Sequence, residues 1–134
     1  TRGGLVPANL LSQYLDIKMY SLDVSLRDHT DAMGPETNCW MAEDALDGKN
    51  ILVVDDINDS GATLDWIVDD WKSGNRPQSP EWDSVFGGNV RFATLINKPT
   101  SNFKDVTYIG DTVKKGKEDV WIVFPWEEWW AAKS

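Results

Sequence analysis

The segment Ile51–Trp71 constrains the fold more than any other part of the chain. It opens with "ILVVD", a continuous apolar run ending in acid, the pattern of a parallel strand buried on both faces. A second acid, Asp56, and a glycine turn over Ile57–Ala62 follow, and Thr63 is placed to begin a helix. Leu64, Ile67, Val68 and Trp71 are then spaced as one face of that helix. Three more strand candidates, "VRFATLIN", "VTYIG" and "VWIVF", come after it, separated by turn residues. Helices interleaved with β-rich runs predict an α/β fold with a mainly parallel, twisted sheet flanked by helices.

Before this segment, Pro7 sits where a first helical turn can start, and Leu10, Leu11, Tyr14 and Leu15 fall on one helical face. "IKMYSLDV", Ile17 to Val24, predicts a strand. Ser25 to Lys49 is polar, with Gly34-Pro35 and Asp47-Gly48, and predicts a long loop with a short helix around Met41 to Leu46. Loops of that length inside compact domains are often functional. Ser73 to Gly88, with two prolines and a glycine pair, reads as an irregular excursion.

A length of 134 residues, 41% hydrophobic, suits one domain over 1–134. The formal net charge of -9 argues against the basic patch used to grip nucleic acid. No run approaches the roughly 18 consecutive apolar residues of a membrane span, so the expectation is a cytoplasmic protein without membrane insertion. Cys39 is the only cysteine, which excludes an internal disulfide. An acidic chain can still take a phosphate-rich small molecule when backbone amides hold the phosphates and a divalent cation offsets the repulsion. That logic predicts dependence on magnesium.

Ligands of an open α/β sheet bind beyond the carboxyl ends of its strands. Asp55 and Asp56 occupy that edge. The amides around Asp59 to Thr63 can converge on an anion, Gly61 allows a phosphate to approach the backbone, and Ser60 and Thr63 add hydroxyls. Paired carboxylates suit either ribose hydroxyls or hydrated magnesium. The order of these groups asks for a sugar carrying phosphate.

"ILVVDD" with "NKP" at Asn97 to Pro99 also looks like a response-regulator receiver domain, but the strand "VRFATLIN" ends beside Lys98 with no acceptor aspartate before it. The stretch resembles far more closely the phosphoribosyl pyrophosphate signature of the type I phosphoribosyltransferases. "TRGGLVPANLL", Thr1 to Leu11, is similar to the pyrophosphate loop of the xanthine-guanine branch. "TLINKP" and "EDVWIVFPWE" are similar to that branch's base-binding segments.

The resemblance implies the type I phosphoribosyltransferase fold, with a small hood for the base, and transfer of 5-phosphoribosyl from phosphoribosyl pyrophosphate to a 6-oxopurine in purine salvage. It implies that Asp55 and Asp56 hold the ribose hydroxyls directly or through Mg2+. Asp59, Ser60, Gly61, Ala62 and Thr63 would then cradle the 5-phosphate, and Arg2 and Gly3 would hold pyrophosphate. Asp59 takes the catalytic role beside the purine imidazole. Lys98 donates to the 6-oxo group, Trp121 stacks on the base, and Ile122 contacts the base edge. Ser25 to Lys49 occupies the place of the family's closing loop, with Arg27 toward the diphosphate and no catalytic role for His29.

Family members carry a leading helix and strand before the arginine-glycine-glycine loop, and the resemblance implies that this chain lacks them. Either the sequence is a fragment or another segment or chain fills that gap, and with the Trp-rich ending "PWEEWWAAKS" as a candidate subunit interface the expectation is a homo-oligomer. The competing reading keeps the fold and ligand site as a regulator or nucleotide-binding module without turnover.

Overall fold

The computed structural model describes residues 3–22, 24, 39–113 and 122–126. Helices α1 (Leu5–Leu15) and α2 (Cys39–Leu46) precede strand β1 (Ile51–Asn58) and helix α3 (Ala62–Gly74). A 3-10 turn at Pro80–Ser84 leads into β2 (Val90–Asn97) and β3 (Tyr108–Thr112). The three strands form one parallel sheet in the order β1-β2-β3, with Val53 opposite Phe92 and Asn58 opposite Asn97. α1 packs on β1, and α2 packs on α3.

The apolar periodicity of α3 produces this arrangement. Leu64, Ile67 and Trp71 are buried, and Asp70 joins them, while Val68 is only half-buried. They meet Ala42 and Ala45 of α2 and Val90 and Phe92 of β2, whose inward residues alternate with exposed Arg91. The stretch between α3 and β2, expected to be irregular, is instead part of the core. Trp82 in its 3-10 turn is buried, and the indole Nε1 donates to the carbonyls of Asn75 at 3.0 Å and Arg76 at 3.1 Å. Its ring stacks on Phe86 at 5.7 Å, and Phe86 stacks on Phe92 at 6.0 Å. Aromatic packing of this kind replaces the regular structure that Pro77, Pro80 and the glycine pair deny.

α1 forms where Pro7 predicts it. Pro7 lies in the first turn, where a missing N–H costs nothing, and Ala8 N makes the first helical bond to Gly4 O at 2.9 Å. Its apolar stripe, however, is not covered: Leu10 is 61% and Tyr14 87% exposed. Leu11 and Leu15 line a cleft of about 380 Å³ whose other wall is Ile51 to Asp55 of β1.

A second departure lies beside that cleft. Residues 17–22, part of the segment expected as a strand, are not assigned to the sheet. They line the same cleft as Ile51 to Asp55 of β1. Residues 122–124, the described part of "VWIVF", are likewise not a strand. Phe124 is instead buried, with its ring stacked on Trp126 at 5.0 Å. Among the described residues no helix is long and apolar enough to cross a membrane.

Candidate active site

β1 does not stop at its apolar residues. Asp55 opposite Thr94, Ile57 opposite Ile96 and Asn58 opposite Asn97 continue the ladder, so both carboxylates are held by strand backbone rather than by a loop. Asp55 is buried and its Oδ1 accepts from the backbone N of Asp56 at 2.9 Å. Asp56 Oδ1 accepts from Ile57 N at 2.8 Å. Burial foremost, then the hydrogen bond and charge of Asp55, push the Asp56 carboxyl up to about 6. Burial thus favours the protonated form of Asp56.

The chain then turns through Asp59 and Ser60 to Gly61, whose φ of 91° is left-handed and whose place a Cβ would contest with Phe103 N at 2.6 Å. Helix α3 starts at Ala62, one residue earlier than expected. Ser60 Oγ accepts from Ala62 N at 3.2 Å, and Asp65 N makes the first helical bond to Gly61 O at 2.9 Å. The remaining amides of the first turn have no intrahelical acceptor and point toward the turn, with the positive end of the helix dipole behind them.

A cleft of about 280 Å³ gathers Gly3, Asp55, Asp56, Asp59, Ser60, Gly61, Ala62 and Thr63 around this turn. Gly3 lets its backbone come close to Asp56, because a Cβ there would overlap the Asp56 carboxylate unless that side chain moved. One start of the chain and the middle of it thus converge on a single concave surface.

Lys98 follows β2 directly and is only 6% exposed, against the usual behaviour of a lysine after a strand. Its Nζ lies 3.1 Å from Asp59 Oδ1. A buried ammonium and a turn carboxylate therefore stand side by side, Asp59 lining the cleft and Lys98 not among the residues that line it. Ile122 is half-buried and is not among the residues lining the cleft. Arg2, Trp121, Arg27 and His29 lie outside the described residues.

Among the described residues no three His, Cys, Asp or Glu side chains cluster as a closed cage for a metal ion. Adjacent carboxylates of which one is driven toward its protonated form suit an open cation site that a ligand completes, the way hard divalent ions bind beside phosphates.

Sequence reasoning missed two further residues, Asn58 and Ser101. Asn58 Nδ2 donates to Asn97 Oδ1 at 2.8 Å and to Phe103 O at 2.9 Å, and its Oδ1 accepts from Ser101 Oγ at 2.7 Å. The partners are 39 to 45 positions apart, so no local pattern marks them.

A parallel strand carrying paired acids, a glycine-hinged helix start and a carboxylate-lysine pair are the features of an α/β protein with a polar cleft beyond its strand ends. A family model described as the phosphoribosyl transferase domain matches residues 1–133, and the chain belongs to that family. It is 34% identical over 129 residues to a xanthine-guanine phosphoribosyltransferase of Cereibacter sphaeroides, and 32% identical over 135 residues to one of Roseobacter denitrificans. Each match takes in 95% of this chain and 65% of the relative, so the chain spans about two thirds of their length. A solved purine phosphoribosyltransferase from Pyrococcus horikoshii superposes with a TM-score of 0.58 at 28% identity, covering 96% of this chain and 73% of that one. A Helicobacter pylori xanthine-guanine-hypoxanthine phosphoribosyltransferase shares the fold, with a TM-score of 0.56 at 20% identity over 99% of this chain and 74% of that one. The fold is the type I phosphoribosyltransferase fold expected from the sequence.

Proposed function

We propose that the chain transfers the 5-phosphoribosyl group of phosphoribosyl pyrophosphate to a 6-oxopurine, releasing pyrophosphate and forming a nucleotide for purine salvage. The observation that carries this reading is the Lys98–Asp59 pair beside the phosphate turn. A 6-oxopurine presents the carbonyl O6 next to N7 on one edge. An ammonium donor and a carboxylate acceptor side by side match O6 and a protonated N7, whereas the 6-amino group of adenine offers the ammonium no acceptor.

The residues divide the work as follows. The amides of Gly61 to Thr63 with the Ser60 and Thr63 hydroxyls receive the 5-phosphate. Asp55 and Asp56 receive the ribose hydroxyls or the magnesium that carries the diphosphate. Gly3, against Asp56, brings backbone to the pyrophosphate side, with Arg2 as the neighbouring cation. A purine nitrogen attacks the anomeric carbon as the bond to the diphosphate oxygen breaks and takes its electrons away. Positive charge develops on the sugar, and nearby carboxylates stabilise it. Asp59 takes or shares the imidazole proton released by the attacking base. Bound magnesium supplies Lewis acidity to the leaving diphosphate.

Turnover tests this directly. The protein with magnesium, phosphoribosyl pyrophosphate and each of guanine, xanthine, hypoxanthine and adenine should release pyrophosphate and nucleotide with the oxopurines and not with adenine. Donor binding with no nucleotide from any base would refute transfer and favour a binding module on the same fold.

A further inference from the structure

The phosphate turn and the Lys98 segment come from different parts of the chain, and something must hold them in register. Their backbones are tied twice, Lys98 N to Asn58 O at 3.0 Å and Asn102 N to Ser60 O at 2.9 Å, and the Lys98 segment is itself turned by Ser101 N to Lys98 O at 3.0 Å. Between these ties sits a buried polar pair. Asn58 and Ser101 are each 1% exposed, and Ser101 Oγ donates to Asn58 Oδ1 at 2.7 Å while accepting from Phe103 N at 3.1 Å. Both protons of the Asn58 amide are used as well, on Asn97 Oδ1 and Phe103 O. A pair of apolar side chains would fill this volume with less desolvation cost; only hydrogen bonds fix direction as well as distance.

We propose that Asn58 and Ser101 form a positioning clasp that locks the phosphate turn to the Lys98 segment and thereby sets the separation of sugar donor and purine during transfer. The inference rests on the proposed function. Asn58 is the residue before Asp59, and Ser101 lies three after Lys98, so the clasp controls both members of the pair that faces the base. Gly61 fits beneath it because a Cβ there would lie 2.8 Å from Ser101 Oγ. Each substrate alone would still find its own half of the site. What the clasp supplies is their mutual geometry, and a misplacement of about 1 Å between reacting groups is worth roughly a hundredfold in rate.

Ser101→Ala removes the hydroxyl with the smallest change in volume. In the full chain the expected result is a kcat roughly 10- to 100-fold lower with KM for base and donor unchanged. Asn58→Leu also removes the bonds to Asn97 Oδ1 and Phe103 O and should lower kcat at least as far. The double variant should be no worse than Asn58→Leu alone, because the bond from Ser101 to Asn58 is already gone there. Ile67→Val, a core substitution away from the site, should lower the melting temperature while leaving kcat intact, which separates positioning from general stability. Amide hydrogen exchange gives a readout that needs no turnover. In Ser101→Ala, exchange should rise across 59–63 as well as 98–103. A wild-type kcat in Ser101→Ala, or faster exchange confined to 101–103, overturns the clasp. If the wild-type chain itself turns over no purine, the proposed function falls while the exchange result still decides the clasp.

Discussion

Asp56→Asn is predicted to stabilise the unliganded protein while weakening it for its ligand. The Asp56 carboxyl stands at about 6 in the folded chain against 3.8 when unperturbed. The folded state therefore holds that proton more tightly than the unfolded one, and stability is lost as pH rises from about 4 through 6. One pKa unit corresponds to about 1.36 kcal/mol, and the partial solvent contact of this side chain reduces the total to roughly 1–2 kcal/mol at neutral pH. Asparagine keeps the Oδ1 that accepts from Ile57 N at 2.8 Å and carries no charge toward Asp55. The variant should melt roughly 3–8 °C above wild type at pH 7.5, and the gap should close as the pH is lowered toward 4. Adding magnesium with phosphoribosyl pyrophosphate should raise the wild-type melting temperature and move the variant little, because only the carboxylate rewards the cation. Scanning calorimetry from pH 4 to 7.5, with and without ligand, reads both effects. A gap independent of pH, or a variant less stable than wild type at pH 7.5, refutes the argument that Asp56 is charge-frustrated.

Lys98→Gln should lower kcat/KM for an oxopurine by roughly 10- to 100-fold, since a charged hydrogen bond of about 1.5–3 kcal/mol is lost; steady-state kinetics with guanine and adenine would show whether discrimination narrows with it. Gly61→Ala forces a Cβ onto Phe103 N in a left-handed backbone and should cost roughly 1–3 kcal/mol in denaturant unfolding as well as donor affinity by calorimetry. Trp82→Phe keeps the stack on Phe86 but removes the indole donor from the carbonyl of Asn75 and one of two donors from that of Arg76, and urea unfolding should register a loss of about 1–2 kcal/mol without a change in turnover.

The parts of the fold that were legible share one property: their determinants are local. α3 announces itself through the period a helix imposes on its own residues, β1 through a continuous apolar run, and β2 spans the whole of "VRFATLIN". The phosphate turn is legible for the same reason, since carboxylates, glycine and hydroxyls occupy consecutive positions. Ile17 to Val24 has strand composition, but a strand is a relation between two chains of backbone, which composition does not specify, and the described residues 17–22 lie outside the sheet. The Ser73 to Gly88 excursion misleads in the opposite sense. Its prolines and glycines do prevent a long helix or strand, yet Trp82 and Phe86 still enter the core from irregular backbone.

The site itself divides along the same line. Its charges were legible as residue types, but their condition is a product of packing. Asp55 and Asp56 look alike in the sequence, and only the fold buries them together so that Asp56 resists ionisation. Lys98 reads as a surface lysine until β2 and the turn after it seal its stem and aim Nζ at Asp59. Under the proposed function, a cation carried by the diphosphate donor would favour the charged form of Asp56 that burial now disfavours. A purine offering O6 beside N7 would engage both members of the Lys98–Asp59 pair, so donor and base would each act on a different part of the same charge arrangement.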